Sequence, residues 1–289
     1  MDEGKPEQSN KLPFKFRKLN VPTSAVEKSW SAIESQLSNQ KLKKLPFRIY
    51  TLAAIISFIA IGSGLWLYQS KPVEIHTAYG EVRRVVLPDA SVVVLNSNSS
   101  IRIPKDWSMD KKREVWLTGE GFFEITKKPG TGSATFVVHT NHVDVQVLGT
   151  KFNVNAKEEQ AVVALKEGKV RLMSKEHTPV ETKELVMVPG DVVEIKGKEF
   201  TINKSKDIEK ISGWRNNRFY FHNTPIAEIA RMIKDKYGYD VELKDRNLSD
   251  KKLNGQLNAA DIHEFAEALE VALEINIEIK EKVLIIKSK

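Results

Sequence analysis

Residues 49–68, IYTLAAIISFIAIGSGLWLY, carry no charged side chain over 20 positions. At about 1.5 Å of rise per helical residue, such a run extends about 30 Å, the thickness of a bilayer's hydrocarbon core. The pattern predicts one membrane-crossing helix over 49–68. It would divide the chain into a leading segment, 1–48, and a trailing part of 221 residues. A cleavable signal peptide begins near the first residue and ends at small residues; here 48 residues come first and the run closes on Trp66-Leu67-Tyr68. Lys41, Lys43, Lys44 and Arg48 precede the run, and only Lys71, with Glu74 nearby, follows it. Positive flanks stay cytoplasmic. The expected topology is therefore single-pass in the inner membrane, with the N-terminus in the cytoplasm and the C-terminal part in the periplasm.

The absence of Cys means that an exported domain is held by packing without disulfides, as is common in the bacterial periplasm. The net charge of +7 does not point to nucleic acid. Residues 1–48 hold ten Lys/Arg against five Asp/Glu, so +5 of it lies in the leading segment, where topology and anionic lipid account for it. No DNA- or RNA-binding motif accompanies the charge.

Residues 1–22, with Pro6, Pro13 and Pro22, read as irregular. Ser24 and Glu27 then form a capping-box pair, and Val26, Trp30, Ile33 and Leu37 follow at spacings of 4, 3 and 4. This predicts a helix over 24–38 with one apolar stripe opposite Lys28, Ser31, Glu34, Ser35 and Ser38. A lone helix of that length is marginal in water. The stripe needs a cover, either the membrane surface or the groove of a partner protein. Glu27 and Glu34 beside it favour the protein.

Residues 77–203 read as strands throughout, giving an all-β domain of sandwich- or solenoid-like form. Within it, 143–147 alternates strictly, 114–117 and 122–125 flank a turn at 118–121, and two hairpins are expected. One joins 161–165 to 169–173 across Lys166-Glu167-Gly168; the other joins 186–188 to 192–195 across Pro189-Gly190-Asp191. A linker over 204–213 leads to a small α+β domain, 214–289, in the order βαββαββ. Its first helix is expected to be capped by Thr224 with Pro225 at the first helical position and to stop at Gly238, and its second to cover 261–273.

Four segments in order resemble one family. Glu81-Val82-Arg83 with the run from Leu87-Pro88-Asp89-Ala90-Ser91-Val92 to Leu95-Asn96 is similar to the "G-E…V-x-L-P-D-G-S-x-V-x-L-N" opening of FecR-type anti-sigma factors. Residues 115–125, VWLTGEGFFEI, resemble "V-x-L-x-G-E-A-x-F-E-V". Residues 145–154, VQVLGTKFNV, resemble "V-x-V-L-G-T-x-F-N-V", and 165–170, LKEGKV, resemble "L-x-E-G-x-V". Ala90 and Gly121 depart from the usual Gly and Ala. The last module resembles the secretin/TonB short domain.

The resemblance implies an anti-sigma factor of cell-surface signalling. Its inner helix would hold an extracytoplasmic-function sigma factor through Val26, Trp30, Ile33 and Leu37. Its outer part would dock with the signalling domain of a TonB-dependent outer-membrane transporter. An intramembrane protease would finally cut the span. The leading segment is shorter than in many relatives.

Gly149-Thr150 admits two readings. Some relatives cleave themselves at a Gly-Thr bond, where the hydroxyl attacks the preceding carbonyl; alternatively Gly149 marks a bulge or bend. The spacing of His139 and His142 lacks a ligand set for a metal, and no cofactor is expected. Asp89, Glu120 and Glu124 read as turn or strand-end residues rather than an acid/base set, and Trp107 and Trp116 as core rather than a sugar platform. A periplasmic enzyme would need a clustered acid/base set. A membrane-anchored structural or assembly adaptor is the remaining alternative.

Overall fold

The structure, a computed structural model, describes residues 22–38, 47–69, 72–105, 107, 113–128, 135–157, 160–175, 184–197, 199–205 and 207–289, without the side chains at 37–38, 47–50, 53, 65–69 and 246. The irregular reading of 1–21 and the basic flank at 41–44 lie outside the described residues. Two compact units result, Met1–Leu65 and Trp66–Lys289.

The first unit holds two helices, α1 (Thr23–Ser38) and α2 (Phe47–Gln69), the second running into the next unit. α1 starts one residue earlier than the capping box predicts. Ala25 N donates to Pro22 O at 2.8 Å, so Ser24 lies inside the first turn and not at the cap. A proline lacks the N–H that a helix start leaves unpaired, which suits it to this end. α2 is 23 residues long and contains the whole uncharged run. Among the described residues, no helix is long and apolar enough to cross a membrane. The expectation of a membrane-crossing helix rests on the uncharged sequence of 49–68.

The second unit opens with thirteen strands: β1 (Val73–Thr77), β2 (Arg83–Val86), β3 (Val92–Leu95), β4 (Ser99–Ile103), β5 (Arg113–Glu124), β6 (Phe136–His139), β7 (Val143–Val147), β8 (Lys151–Ala156), β9 (Ala161–Glu167), β10 (Val170–Ser174), β11 (Glu184–Met187), β12 (Asp191–Lys196) and β13 (Glu199–Lys204). They form two layers that share β5. One runs β1-β4-β5-β6-β7-β10-β11; the other runs β2-β3-β5-β8-β9-β12-β13. Pairing is antiparallel except between β5 and β6. One apolar core receives side chains from both layers, among them Val115, Leu117, Val145 and Leu172 from the first and Val93, Phe123, Phe152 and Val163 from the second. The domain is a β-sandwich.

Three expectations are corrected here. Residues 113–124 make one strand of 12 residues, not two strands and a turn. Its first half pairs with β4 and β6 and its second with β3 and β8. The change of layer falls at Gly119, where φ is +95° and an added Cβ would lie 2.4 Å from Ser99 Oγ. A side chain is excluded there by both space and conformation. The two expected hairpins also do not form. β9 pairs with β8 and β12, and β10 with β7 and β11; β11 and β12 likewise lie in different layers. Gly168 and Gly190, at φ +93° and +92°, carry the chain across the sandwich instead of back into the same sheet.

The chain then passes through α3 (Ile208–Ile211) and a 3-10 turn, Gly213–Asn216, within and after the expected linker. The α+β module follows as β14 (Arg218–Pro225), α4 (Ile226–Tyr237), β15 (Asp240–Leu243), β16 (Lys252–Asn258), α5 (Ile262–Leu273), β17 (Ile275–Lys280) and β18 (Val283–Ser288), which is the expected βαββαββ order. Two small sheets, β14-β16 and β15-β18-β17, and both helices enclose a second core around Ile229, Ile233, Phe265, Leu269 and Leu284. α4 ends at Gly238 in the left-handed region, as expected. It is not capped by Thr224, which belongs to β14 and accepts from His222 N; Pro225 is the N-cap residue. α5 has a true cap, with Asp261 accepting from His263 N and Glu264 N.

Ala90 occupies the turn position at which the resembled motif has glycine, at φ +63° and exposed. A left-handed Ala costs roughly 1–2 kcal/mol, while Gly gives back about 0.4–1 kcal/mol through unfolded-state entropy. Ala90→Gly should therefore stabilise residues 72–289 by about 0.5–1 kcal/mol in urea unfolding; an unchanged or lower midpoint would show that the turn carries no such strain.

Candidate functional site

α1 presents the predicted stripe exposed, with nothing over it among the described residues. Val26, Trp30 and Ile33 are 43%, 65% and 46% exposed. Leu37 lies in the last turn, and its side chain is outside the described residues. The opposite face is largely self-satisfied. Ser29 donates to Ala25 O, Ser31 to Lys28 O and Ser35 to Ala32 O, at 2.7, 3.0 and 2.8 Å. Such back-bonding slightly weakens a helix. A marginal helix with an exposed tryptophan on a continuous apolar face is suited to a groove that supplies the missing burial.

Gly149 and Thr150 sit where the two layers of the sandwich come close. Thr150 is buried; its N–H and C=O pair with Ile125, and its Oγ1 donates to Lys169 O at 3.0 Å. A Cβ on Gly149 would lie 2.6 Å from Lys127 Cβ, and one on Gly168 would lie 2.7 Å from Gly149 O. Close chain approach is thus a sufficient reason for glycine at both places. Leu148, Gly149, Thr150 and Arg171 border a cavity of about 510 Å³. No carboxylate or imidazole hydrogen-bonds Thr150 among the described residues.

The remaining sequence candidates are structural. His139 hydrogen-bonds Asp144 (Nδ1 to Oδ1, 2.9 Å) and Glu114 (Nε2 to Oε2, 3.3 Å) and stacks on Trp116 at 5.1 Å. The Asp144 hydrogen bond raises its pKa. Among the described residues no cluster of metal ligands forms. Trp116 also carries the Arg102 guanidinium 4.8 Å from its ring centroid, and Trp107 packs on the core near Phe136. Asp89 forms the expected turn, accepting from Ser91 N at 3.0 Å and Ser91 Oγ at 2.8 Å. It also accepts from Arg113 Nη1 at 2.7 Å in an ion pair with no exposed side-chain surface. Arg113 further reaches Thr126 O and Leu148 O. Its partner lies 24 residues away, so nothing local in the sequence marks it. Glu124 lies beside Arg215, 3.8 Å from Nη1.

A further polar cluster joins the sandwich to the α+β module. Glu120 is buried directly after the Gly119 bend. It accepts from Asn96 Nδ2 at 2.7 Å and Asn153 Nδ2 at 2.8 Å. Burial nevertheless pushes its pKa up, against those hydrogen bonds and the Lys157 charge. The Trp214 indole faces the same carboxylate and weakly favours its charge, but Nε1 makes no hydrogen bond of ordinary geometry. Lys157 donates to Ser97 O at 3.0 Å and reaches Asp235 O on α4 at 3.5 Å. Lys236, only 4% exposed, has no partner for Nζ, which lies 5.2 Å from the Phe219 ring centroid. Burial brings its pKa down to about 8. Around the cluster, Gly80 N donates to Lys236 O at 2.7 Å, and the Arg215 guanidinium lies 3.7 Å from the Phe122 ring centroid. One signal for Lys236 was in the sequence: with Ile229 and Ile233 it continues an i, i+4, i+7 series, so it occupies an apolar position of α4.

The FecR protein family model matches residues 73–171, and the FecR C-terminal model matches residues 218–286. The chain belongs to the FecR family. Two solved structures resemble it, both of a protein given provisionally as an anti-sigma factor from Parabacteroides distasonis ATCC 8503. One, at 2.50 Å resolution, is 27% identical with a TM-score of 0.60; the other, at 1.65 Å, is 26% identical with a TM-score of 0.60. Each match covers 75% of this chain and 99% of the other. No curated protein matches the chain significantly.

Glu120 binds its proton more tightly folded than unfolded. It therefore adds stability as pH falls from its raised pKa toward the ordinary 4.5, and that contribution is lost as pH rises. The amide of Glu120→Gln can donate to the free Asn153 Oδ1 once the Asn153 amide turns over. The variant of residues 72–289 should be at least as stable as wild type at pH 8, with an advantage that shrinks toward pH 4.5 in urea unfolding. A variant equally weakened at both pH values would mean that the carboxylate charge is not a cost to the fold.

Proposed function

We propose that the chain is an anti-sigma factor of cell-surface signalling. α1 captures an extracytoplasmic-function sigma factor through Val26, Trp30, Ile33 and Leu37. Residues 49–68 cross the inner membrane, leaving α1 in the cytoplasm and the sandwich and α+β module in the periplasm. There the exported part meets the signalling domain of a TonB-dependent outer-membrane transporter. Sigma release ends with an intramembrane cut.

The observation that carries this reading is the uncovered stripe on α1, with Trp30 at its centre. Membership of the FecR family and the likeness to the Parabacteroides protein support it. Burying one large side chain contributes about 1.5–3 kcal/mol, and an aromatic anchor at the middle of such a contact commonly dominates it. A peptide of residues 1–45 should capture one of the host's sigma factors, and Trp30→Ala should weaken that capture at least tenfold. Equal capture by both peptides would remove the stripe from the interface; no capture by either would favour the periplasmic adaptor.

We propose that the Gly149-Thr150 bond stays intact, because the Thr150 hydroxyl donates to Lys169 O and, among the described residues, no carboxylate or imidazole hydrogen-bonds it. The chain isolated from membranes is expected to give a single intact mass. Fragments ending at 149 and beginning at 150, abolished by Thr150→Val, would establish the cleavage.

A further inference from the structure

Asn96, Glu120, Asn153 and Lys157 on the sandwich and Trp214 and Lys236 on the module line one cavity of about 440 Å³, within the range of small-molecule sites. Three buried polar atoms on its walls have no partner: Lys236 Nζ, Trp214 Nε1 and Asn153 Oδ1. Buried polar atoms are nearly always paired, and a buried ammonium without a counter-charge costs several kcal/mol. Glu120 faces both Lys157 and Lys236 and can offset only one of the two ammoniums; Lys157 is also held by Ser97 O and Asp235 O, so Lys236 carries the surplus positive charge. At the rim, Lys210, Arg218 and Arg231 outnumber Glu228 and Asp235. The surplus is positive inside and out.

We infer that this cavity is a binding site for a small free organic acid, a monocarboxylate carrying a neighbouring hydroxyl or amino donor. A single negative charge matches the single free ammonium, and the indole N–H is a second donor for a carboxylate oxygen. Asn153 Oδ1 is an acceptor, and Glu120 offers acceptors beside it, so the ligand must also donate. A phosphate dianion can donate through its one remaining hydroxyl, but it brings two charges to one surplus ammonium and sets the second against the Glu120 carboxylate. Because sandwich and module each supply part of the wall, an occupant touches both and stabilises their docked arrangement by mass action. No residue of α1 lines this site, which provides the exported part with an input separate from any sigma contact.

Residues 72–289 contain both hydrophobic cores, so this part is tested alone. Its melting temperature is measured with lactate, glycerate, serine, alanine, acetate or inorganic phosphate at 10 mM, and any stabilising acid is titrated calorimetrically. A hydroxy or amino acid should raise the melting temperature more than acetate or phosphate does. Its Kd should weaken at least tenfold in Lys236→Met and in Trp214→Phe. Lys236→Met removes an uncompensated buried charge and should fold as well as wild type or better. The proposal is overturned if no acid in the set shifts the melting temperature, if phosphate does so equally, or if both variants bind like wild type. None of these outcomes bears on sigma capture by residues 1–45.

Discussion

A single strand in two sheets is the constraint around which residues 72–289 are organised. β5 can leave one layer and enter the other only because Gly119 takes a conformation closed to other residues, with no room for a side chain beside Ser99. The bend fixes what lies on either side of it. Before it, Arg113 is anchored on Asp89 and carries the turn at 88–91 to the start of the strand. After it, the side chains alternate between two interiors. Phe123 points into the sandwich and stacks on Phe152 at 5.1 Å. Phe122 points the other way and is covered by the Arg215 guanidinium. Glu120 lies in the joint with the module. The strand that unites the two layers thus also supplies the floor on which the α+β module rests.

The joint itself is built differently from the cores it connects. Each core is a continuous apolar cluster, whereas the joint sets Glu120, Lys157 and Lys236 against one another with few apolar contacts between them. Buried charges of this kind are often less stabilising than apolar residues of the same volume, because desolvation offsets their attraction. Their geometry is nonetheless demanding: Lys157 reaches a carbonyl on α4 and Gly80 donates to another. Specificity of placement comes from directed polar contacts, and the strength of docking from a small apolar contribution that includes Phe122.

On the other side of the uncharged run, the energetic situation is reversed. α1 has apolar surface that nothing among the described residues buries, and three of its serines spend their hydroxyls on its own carbonyls. Such a helix gains most of its order from the surface it meets, so its affinity is lowered by the cost of ordering while its contact remains easily reversed.

What could be read from the sequence follows from the range of the interactions involved. Strands with strict alternation, such as 143–147, and helices with local signals, such as Asp261 before α5 and Gly238 after α4, are visible because their causes lie within a few residues. The α1 stripe is legible for the same reason. The pairing of strands is not. A glycine between two β runs announces that the chain turns, but a tight hairpin and a crossing between layers begin with the same residue. At Gly168 the direction is decided by Thr150 and Gly149, 18 and 19 positions earlier, which leave room for neither a Cβ nor a return along β9. Arg113 fails to announce itself for the same reason, and Lys236 announces itself only through its apolar spacing with Ile229 and Ile233. A charged residue reads as solvent-facing until the distant acid or the enclosing ring is known, and in this chain those lie 24 residues before Arg113 and 17 before Lys236.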